Sequence, residues 1–378
     1  MNFLSLNNFL DNFKNSKSKT LTEFINKANV KTANQVIPLK TYIQNKKVTK
    51  DDLKLLFESI QTRNDYLTRF YRLSLFIDPD KFHIYPLKPM KNKQMNNNES
   101  ITYKNIIRNM HYKDILQNTT SDFANNPSYL DVIEDLYIHN IIDYKLLTPS
   151  ALHYMREGRL GSNYSSFYFR ASIMNPYLVY SLNISVLKGQ RIFTPTLGWT
   201  SYLYGFLECP EVVEYVGTDV IPNVCKKTTQ FASKYYSDKQ VDIYCEPSEK
   251  LFHNTAFIKK YTNHFDTVFF SPPYYRLELY KGGKQSTEEY KTYEEWLEKY
   301  WETTIKLCHK VLQKGGKLCY ILSDYGSENT QKKYNLVDDM GNITKKYFKL
   351  SSKQPMYNKD VHNTSHRETN EQILVFLK

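Results

Sequence analysis

The sequence has few cysteines, few glycines and no long apolar runs. None of its 378 residues lies in an uninterrupted apolar stretch near the roughly 20 residues that a membrane-spanning helix needs. The first residues place no Lys or Arg ahead of their apolar side chains, so they do not predict a secretory signal. These absences predict an intracellular protein with no membrane partner.

The cysteines do not indicate a disulfide framework or a metal site. There are five of them and no two form a Cys-x-x-Cys pair, which argues against structural zinc. Their neighbours in sequence are largely hydrophobic, so we expect reduced cysteines in the core. They are Cys209, Cys225, Cys245, Cys308 and Cys319.

Acidic residues are outnumbered by basic ones. The 51 Lys and Arg against 39 Asp and Glu give a formal charge of +12. Such an excess is typical of proteins that bind polyanions, because lysines facing phosphates release counterions. It also fits a general compositional bias, since Lys, Asn, Ile and Tyr are abundant throughout. The charge by itself therefore leaves both explanations open.

The first part of the chain predicts mostly helices. Thr49 and Asp52 have the spacing of a capping box, and a second helix is predicted after Pro127. Between them, residues 91–98 are polar and predict an exposed loop. We therefore expect a mainly helical N-terminal region over residues 1–160, as a candidate for nucleic-acid recognition or dimerisation. The apolar positions expected to face inward are Leu53, Leu56, Phe57, Ile60, Leu67, Phe70, Leu130, Ile133, Leu136, Tyr137 and Ile141.

The second part of the chain, residues 161–378, alternates short apolar runs with helical stretches. This alternation predicts an α/β domain with a mostly parallel, doubly wound sheet. The clearest helix is Tyr293–Leu312, and residues 345–367 are expected to form only a loop. The predicted strands are Gln190–Pro195, Glu214–Asp219, Val241–Cys245, Thr267–Phe270, Lys317–Leu322 and Gln372–Leu377.

Residues after the first three predicted strands have the pattern of a nucleoside-binding site. In open α/β sheets, ligands bind at the carboxyl ends of the strands. The first strand leads through Thr194 and Pro195 into a turn with Gly198, and Asp219 follows this glycine by 21 residues at the end of the second strand. An acid at this spacing accepts hydrogen bonds from ribose hydroxyls. After the third strand, Glu246 and Ser248 form a polar corner suited to an adenine edge.

The fourth predicted strand ends in the most distinctive motif, Ser271-Pro272-Pro273-Tyr274. Two consecutive prolines fix φ and cannot continue a ladder, so they hold the strand's last carbonyls and the next side chains in a rigid arrangement. A Pro-Pro pair is often no more than a stiff loop. An aromatic residue directly behind it, at the ligand-binding edge of the sheet, favours a functional role.

These motifs, in this order, resemble those of S-adenosylmethionine-dependent amino methyltransferases, which methylate the exocyclic nitrogen of adenine or cytosine in nucleic acid. The segment from Ser271 to Tyr280 is similar to a branch found in phages and large DNA viruses. The resemblance covers residues 165–378 and implies a Rossmann-like class I methyltransferase sheet whose last strand is antiparallel.

The resemblance also implies roles for individual residues. S-adenosylmethionine would lie over Gly198 and Asp219, with residues 169–176, beginning at Phe169, closing the methionine end. The target amino group would donate hydrogen bonds to the Ser271 hydroxyl and the Pro272 carbonyl. Tyr274 would stack on the base, which must be flipped out of the duplex to reach the pocket.

Three positions depart from the family pattern. Thr194 stands where the family often has Asp, and Thr200 stands where a second glycine is expected. Ser271 replaces the Asp or Asn that is common in adenine enzymes, and it leaves adenine-N6 and cytosine-N4 equally open.

Recognition of the nucleic acid is expected to involve basic residues outside the sheet motifs. Each lysine taken singly is more typical of a solvated surface, so the prediction concerns the cluster. The candidate contacts are Lys46, Lys47, Lys50, Lys88, Lys91, Lys93, His366 and Arg367.

The leading hypothesis is therefore a DNA amino methyltransferase that uses S-adenosylmethionine. An RNA methyltransferase with the same chemistry is the nearest alternative, because nothing in the motif distinguishes the two sugars. A different class is a catalytically silent nucleic-acid-binding or scaffold protein, which Thr194 and Thr200 would favour. The sequence leaves the recognition site, a homodimer and a second subunit open.

Overall fold

The described chain divides into two compact units. The computed structural model describes residues 2–14, 18–44, 46–121, 127–327, 332–357 and 371–378. One unit, here called the sheet unit, contains Ile77–His111 and Ile173–Lys378, and the other, the helical unit, contains Asn2–Phe76 and Tyr112–Ser172. This division differs from the single boundary predicted at residue 160, because Ile77–His111 packs with the sheet.

The sheet unit is built on seven strands. They are β1 (Arg191–Thr194), β2 (Glu214–Thr218), β3 (Gln240–Tyr244), β4 (Phe265–Phe270), β5 (Leu312–Leu322), β6 (Lys349–Pro355) and β7 (Gln372–Leu377). Their order across the sheet is β6-β7-β5-β4-β1-β2-β3. All pairs from β5 to β3 are parallel, and β7 runs antiparallel to both of its neighbours. The mostly parallel sheet with an antiparallel last strand confirms the expected fold class.

The central strands form because their side chains are buried on both faces. β4 is buried at Phe265 and from Thr267 to Phe270, and β5 is buried from Leu318 to Leu322. Continuous apolar runs of this kind are typical of parallel sheets covered by helices. The six predicted strands are all present, with ends shifted by up to five residues.

β6 was missed, and the prediction of only a loop over residues 345–367 is wrong for Lys349–Pro355. It is an edge strand that pairs with β7 alone, and most of its side chains are exposed. An edge strand with serines and lysines lacks the apolar run that marks the other strands. His366 and Arg367 lie outside the described residues.

Helices and short elements of the sheet unit connect and cover the strands. The helix predicted at Tyr293–Leu312 is present as Tyr293–Val311, with a π-helical middle at Trp296–Glu302. The other helices are Thr102–Met110, Pro176–Leu182 with a π-helical extension Asn183–Leu187, Ser201–Leu207, Pro222–Tyr235, Ser248–Leu251, Thr255–Tyr261, Ser286–Glu289 and Leu336–Thr344. Short 3₁₀ turns cover Pro79–Lys81, Asn92–Gln94 and Gly198–Thr200, and further short strands are Leu279–Tyr280, Tyr325–Ser327 and Lys332–Tyr334.

The helical unit is mostly α-helical and includes a small three-stranded sheet. In that sheet Asn29–Lys31 pairs antiparallel with Val36–Pro38 and parallel with Ile141–Asp143. Ile141 therefore begins a strand, and its predicted place on a helix is wrong. The helices are Leu6–Asp11, Leu21–Lys27, Leu39–Ile43, Lys50–Gln61, Arg63–Ser74, Tyr112–Leu116, Tyr129–Glu134 with a π-helical turn Asp135–His139, Pro149–Arg156 and Leu160–Phe167; Tyr144–Leu147 is a 3₁₀ turn and Thr119–Thr120 a short strand.

Two further expectations need correction. Within the polar segment 91–98, Met95 and Asn96 are buried instead of exposed. Four of the cysteines are buried as expected, but Cys245 is exposed at the end of β3. In the part of the chain that the structure describes, no helix combines the length and apolar character needed to cross a bilayer.

The predicted capping box at the start of Lys50–Gln61 is present and extended by an ion pair. The Thr49 hydroxyl accepts the Asp52 N–H at 3.1 Å, and the Asp52 carboxylate accepts the Thr49 N–H at 2.9 Å. Arg156 donates to both Asp52 oxygens, at 2.7 and 2.8 Å. The Arg156 guanidinium, with the Thr49 cap, lowers the pKa of Asp52 to about 2.

We expect Asp52→Ala to lower the free energy of unfolding of the helical unit by about 2 to 3 kcal/mol at neutral pH. The folded-state pKa lies below the unfolded value of about 3.9, so this stabilisation is present above that value and is lost as pH falls towards about 2. Urea unfolding at pH values across this range measures it. Asp51→Ala, at the exposed neighbour, is the control, and a difference from wild type that does not change with pH would contradict the assignment.

Candidate active site

Three strands at the centre of the sheet bring the predicted motifs together. β1 lies between β2 and β4, and Thr194 pairs with Gly217 while Phe193 pairs with Val268. Because the three strands are parallel, the segments that follow them emerge at the same edge. After β1 the chain continues to β2 on one side of it, and β4 lies on its other side. This reversal of strand order at β1 is the topological switch point, where such sheets bind ligands.

The turn after β1 has an unusual backbone. Gly198, Trp199 and Thr200 have φ values of +52°, +59° and +74°. A Cβ placed on Gly198 would lie 2.3 Å from Cζ of Tyr202, so the glycine allows the turn to pack directly on this ring. Left-handed backbone at three successive residues is rare outside glycine, and it persists only where the surroundings hold it.

Buried hydrogen bonds hold Thr200 in place of the expected glycine. Its hydroxyl lies 3.0 Å from Nε2 of His111 and 2.6 Å from the hydroxyl of Thr228. A β-branched residue at positive φ is strained, and these two contacts offset the strain. Thr200 is therefore held at positive φ where the sequence pattern leads one to expect glycine.

Thr194 and Pro195 line the core side of the turn. The Thr194 hydroxyl is 2.6 Å from the Tyr215 phenol on β2, and both residues are fully buried. This threonine, which stands where the family often has Asp, therefore contributes to the sheet's interior. Pro195 is buried beside it.

Asp219 connects the turns that follow β1 and β2. One of its carboxylate oxygens accepts the N–H of Leu197 at 3.2 Å, and the other accepts the N–H of Ile221 at 3.1 Å. Burial raises the pKa of this carboxyl. The Val220 N–H also donates to this carboxylate. A carboxylate accepts about four hydrogen bonds, so a position remains for a ligand.

Tyr202 connects the β1 turn to the motif after β4. Its phenol oxygen accepts the Ser271 N–H at 3.1 Å, and its hydroxyl donates to the Ser271 carbonyl at 3.4 Å. Burial raises the pKa of Tyr202 to about 12, so the phenol stays protonated. Tyr202 is not among the residues predicted from the sequence. Its position four residues after Gly198, on the helix that follows the turn, is the feature that could have indicated a role in the site.

Tyr274 is held by the neighbouring strand β5. Its phenol oxygen accepts the N–H of Ser323 at 2.8 Å, and the Ser323 hydroxyl lies 3.2 Å from it. Its ring stacks on Tyr325 with centroids 5.8 Å apart and planes inclined by 26°. Burial, followed by the charge of Glu371, raises the pKa of Tyr274. The Ser271-Pro272-Pro273-Tyr274 segment is thus fixed at its first residue by Tyr202 and at its last by β5.

The segment after this motif covers the Asp219 turn. A Cβ on Gly283 would lie 2.1 Å from the Val220 carbonyl oxygen, so the two backbones are in direct contact. Tyr280 packs edge-on against Trp199 at 5.5 Å and donates to the Glu278 carboxylate at 2.5 Å. Sequence reasoning missed these contacts because a short loop between motifs has no periodic pattern.

The remaining predicted cofactor residues have different surroundings. The Ser248 hydroxyl is buried against the Thr304 hydroxyl at 2.9 Å, and its expected contact with an adenine edge stays a prediction. Glu246 is exposed after β3, and its carbonyl accepts the Thr218 hydroxyl. Phe169 belongs to the helical unit, where its carbonyl accepts the Tyr129 N–H at 2.9 Å.

The predicted nucleic-acid contacts are divided between the units. Six lysines are exposed, as expected for phosphate contacts. Lys46, Lys47 and Lys50 lie in the helical unit, and the other three, Lys88, Lys91 and Lys93, lie in the sheet unit. The six lysines therefore form two groups of three, one in each unit.

Among solved structures, the chain is similar to several methyltransferases at low sequence identity. The N-methyltransferase NodS from Bradyrhizobium japonicum WM9 is 12% identical, with 54% of this chain and 93% of that one covered and a TM-score of 0.32. A methyltransferase from Pyrococcus furiosus is 18% identical, with 54% and 83% covered and a TM-score of 0.34. Fibrillarin from Aeropyrum pernix, solved with natively bound S-adenosyl-L-methionine, is 9% identical, with 50% and 66% covered and a TM-score of 0.32.

A comparison with curated proteins finds no match. A comparison with protein families finds a match for the part of the chain that begins at β4 and contains the Ser271–Tyr274 motif. Residues 265–378, from β4 to the last residue, match the DNA methylase family of N6 and N4 enzymes.

Proposed function

We propose that this protein transfers a methyl group from S-adenosylmethionine to the exocyclic amino group of adenine or cytosine in DNA. One observation carries the proposal: Ser271-Pro272-Pro273-Tyr274 follows β4 at the same edge of the sheet where Asp219 follows β2, within the segment that matches the DNA methylase family. The base is flipped out of the duplex, because the amino group cannot reach a buried strand end while it is paired.

The residues at this edge fit the cofactor. The Asp219 carboxylate, which already binds three backbone amides, can accept a further hydrogen bond from a ribose hydroxyl. The Ser201 hydroxyl, in the helix that follows the Gly198 turn, is buried and has no hydrogen-bond partner among the described residues. When bound, S-adenosylmethionine supplies a methyl group on a positively charged sulfur, which a neutral amine can attack.

The protein's part in the reaction is to position the amino group. That group is a weak nucleophile, because its lone pair is delocalised into the base. Hydrogen bonds from its two protons to the Ser271 hydroxyl and the Pro272 carbonyl would localise the lone pair and aim it. Tyr202 holds the Ser271 backbone in this position, and Tyr274 supplies an aromatic face for the base.

Incubation with tritiated S-adenosylmethionine and either duplex DNA or structured RNA, followed by nucleoside analysis, tests the proposal. Label in N6-methyladenine or N4-methylcytosine supports it and identifies the base. Label in RNA alone would mean that the enzyme performs the same reaction on RNA and not on DNA. No label in either polymer, together with no heat of cofactor binding, would rule out the enzyme.

Asp219→Asn removes a carboxylate oxygen but keeps one acceptor for the adjoining turns. We expect S-adenosylmethionine affinity to fall by about 10- to 100-fold, the loss of a charge-assisted hydrogen bond. Since burial raises the Asp219 pKa, wild-type affinity also weakens as pH falls, beginning at a higher pH than an ordinary carboxyl would give. Calorimetry from pH 7.5 downwards measures both effects. Asp238→Asn, at an exposed acid, is the control, and unchanged affinity in Asp219→Asn would contradict the assignment.

Tyr202→Phe keeps the ring that packs on Gly198 but removes the phenol that holds Ser271. We expect kcat to fall by about 10- to 100-fold while cofactor affinity changes little, because the lost contacts position the acceptor site. Tyr204→Phe is the matched control. It removes a buried phenol from the same helix, but that phenol donates to the Phe82 carbonyl and not to Ser271. Parallel losses of kcat and cofactor affinity would assign Tyr202 to the fold alone.

Tyr274→Ala removes the aromatic face, and Tyr274→Phe keeps it. If the ring stacks on the base, the alanine variant loses about 5- to 150-fold in kcat/KM, the usual value of one base–aromatic stack. The phenylalanine variant retains more activity than the alanine variant. Radiolabel transfer at several DNA concentrations measures this, and equal losses in the two variants would exclude stacking.

A further inference from the structure

Two lysine-rich segments that are far apart in sequence lie side by side in the sheet unit. Residues 86–98 contain three lysines and residues 345–357 contain four, and neither segment contains an acidic residue. We propose that these segments form a contact surface for the phosphate backbone of DNA, next to the candidate active site. Five of the exposed lysines of the two segments, called the lysine surface below, are Lys88, Lys91, Lys93, Lys349 and Lys353. The inference rests on the proposed function, because the lysine surface would hold the DNA substrate of that reaction.

Direct hydrogen bonds join the two segments. The Gln354 side chain donates to the backbone carbonyl and to the side-chain oxygen of Asn92, both at 2.8 Å, across 262 sequence positions. The Tyr357 N–H donates to the Met95 carbonyl at 2.8 Å. The turn that carries Lys91 and Lys93 is therefore attached to the edge strand β6.

The first segment is also anchored to the helix that begins at Pro176. The Ser181 hydroxyl accepts the Met90 N–H at 3.0 Å, and the Ser185 hydroxyl donates to the Met90 carbonyl at 2.7 Å. Met90 and Met95 are buried on either side of the exposed turn. The lysines thus extend from a backbone that is already ordered, which reduces the entropy that binding would cost.

The charges of the lysine surface are not neutralised within the protein. Within the described ranges, none of its five lysines forms an ion pair with a carboxylate. By contrast, Lys299, Lys306 and Lys346 in the same unit lie within 4 Å of glutamates. Cations without carboxylate partners are what counterion release by a polyanion requires.

The lysine surface opens on the candidate active site. β6 runs parallel to β5, so its last residue lies at the carboxyl edge where Ser271 follows β4. Just beyond it, the Met356 N–H donates to the Glu371 carbonyl at 2.8 Å. Glu371 in turn lies close enough to Tyr274 for its charge to affect that phenol.

The arrangement fits an extended anion better than a small one. Lys349 pairs with Leu377 and Lys353 with Leu374 across a β-bulge in β6, so their side chains leave the edge strand on opposite sides and one small anion cannot contact both. Lys91 and Lys93 add charges on a different element. A chain of phosphates that crosses this exposed edge of the sheet can reach several of these charges, and it would leave a flipped base near Tyr274.

The test compares two triple variants with the same change in charge. One replaces three members of the lysine surface, Lys91→Gln, Lys93→Gln and Lys353→Gln. The control is Lys259→Gln, Lys310→Gln and Lys314→Gln, at exposed lysines of the opposite edge: Lys259 and Lys310 lie in helices that lead into β4 and β5, and Lys314 lies near the start of β5. Fluorescence anisotropy with a labelled random-sequence DNA duplex measures affinity at several salt concentrations, using the full chain.

We expect the first variant to reduce the slope of log K against log salt by about 2.7, at about 0.9 per phosphate contact. Between about 50 and about 200 mM salt, wild type would then lose about 40-fold more affinity than the variant. The control should match wild type. Equal slopes in wild type and the first variant, or equal effects of both variants, would overturn the proposal.

Two further measurements separate this inference from the proposed function. Arginine at the same three positions should keep the wild-type slope, since charge alone is required. If no polymer accepts a methyl group but the slopes differ as expected, the lysine surface stands and the proposed activity fails. If methyl transfer to DNA occurs and the first variant behaves as wild type in both binding and transfer, the lysine surface is wrong.

Discussion

The contacts of Tyr202 hold the two halves of the candidate site together. Its ring packs against Gly198 where any side chain would clash, and its phenol bonds both backbone groups of Ser271. Because the residue is buried, these bonds are shielded from water and cannot be replaced by it. The turn expected to hold the cofactor and the motif expected to hold the amino group are therefore set at one distance by a single side chain.

Around this contact, the site consists of turns that stabilise one another. Asp219 binds the amides of two successive turns, the Thr200 hydroxyl is shared between His111 and Thr228, and Gly283 lies directly on Val220. Such contacts allow a strained backbone to persist, since the strain of the Gly198 turn is offset by neighbours from several elements. The residues that depart from the family pattern are thus accommodated by their surroundings.

Some of these features were predictable from sequence and others were not, for identifiable reasons. The strands β1 to β5 and the Ser271–Tyr274 motif were found because buried parallel strands leave continuous apolar runs, and Pro-Pro marks where such a run ends. β6 was missed because an edge strand covered with lysine and serine has no such run. The contact between Ser248 and Thr304 was not predictable, because a position after β3 does not reveal which way the side chain points.

The sequence by itself determined the fold class, the order of the motifs and the excess of positive charge, since these follow from composition and from patterns within single elements. Only the tertiary structure decided that Ile77–His111 packs with the sheet, that Tyr202 holds Ser271, and that two acid-free segments 262 positions apart share a surface. Contacts between distant residues depend on how elements pack, and the sequence pattern of one element does not identify the element that it packs against.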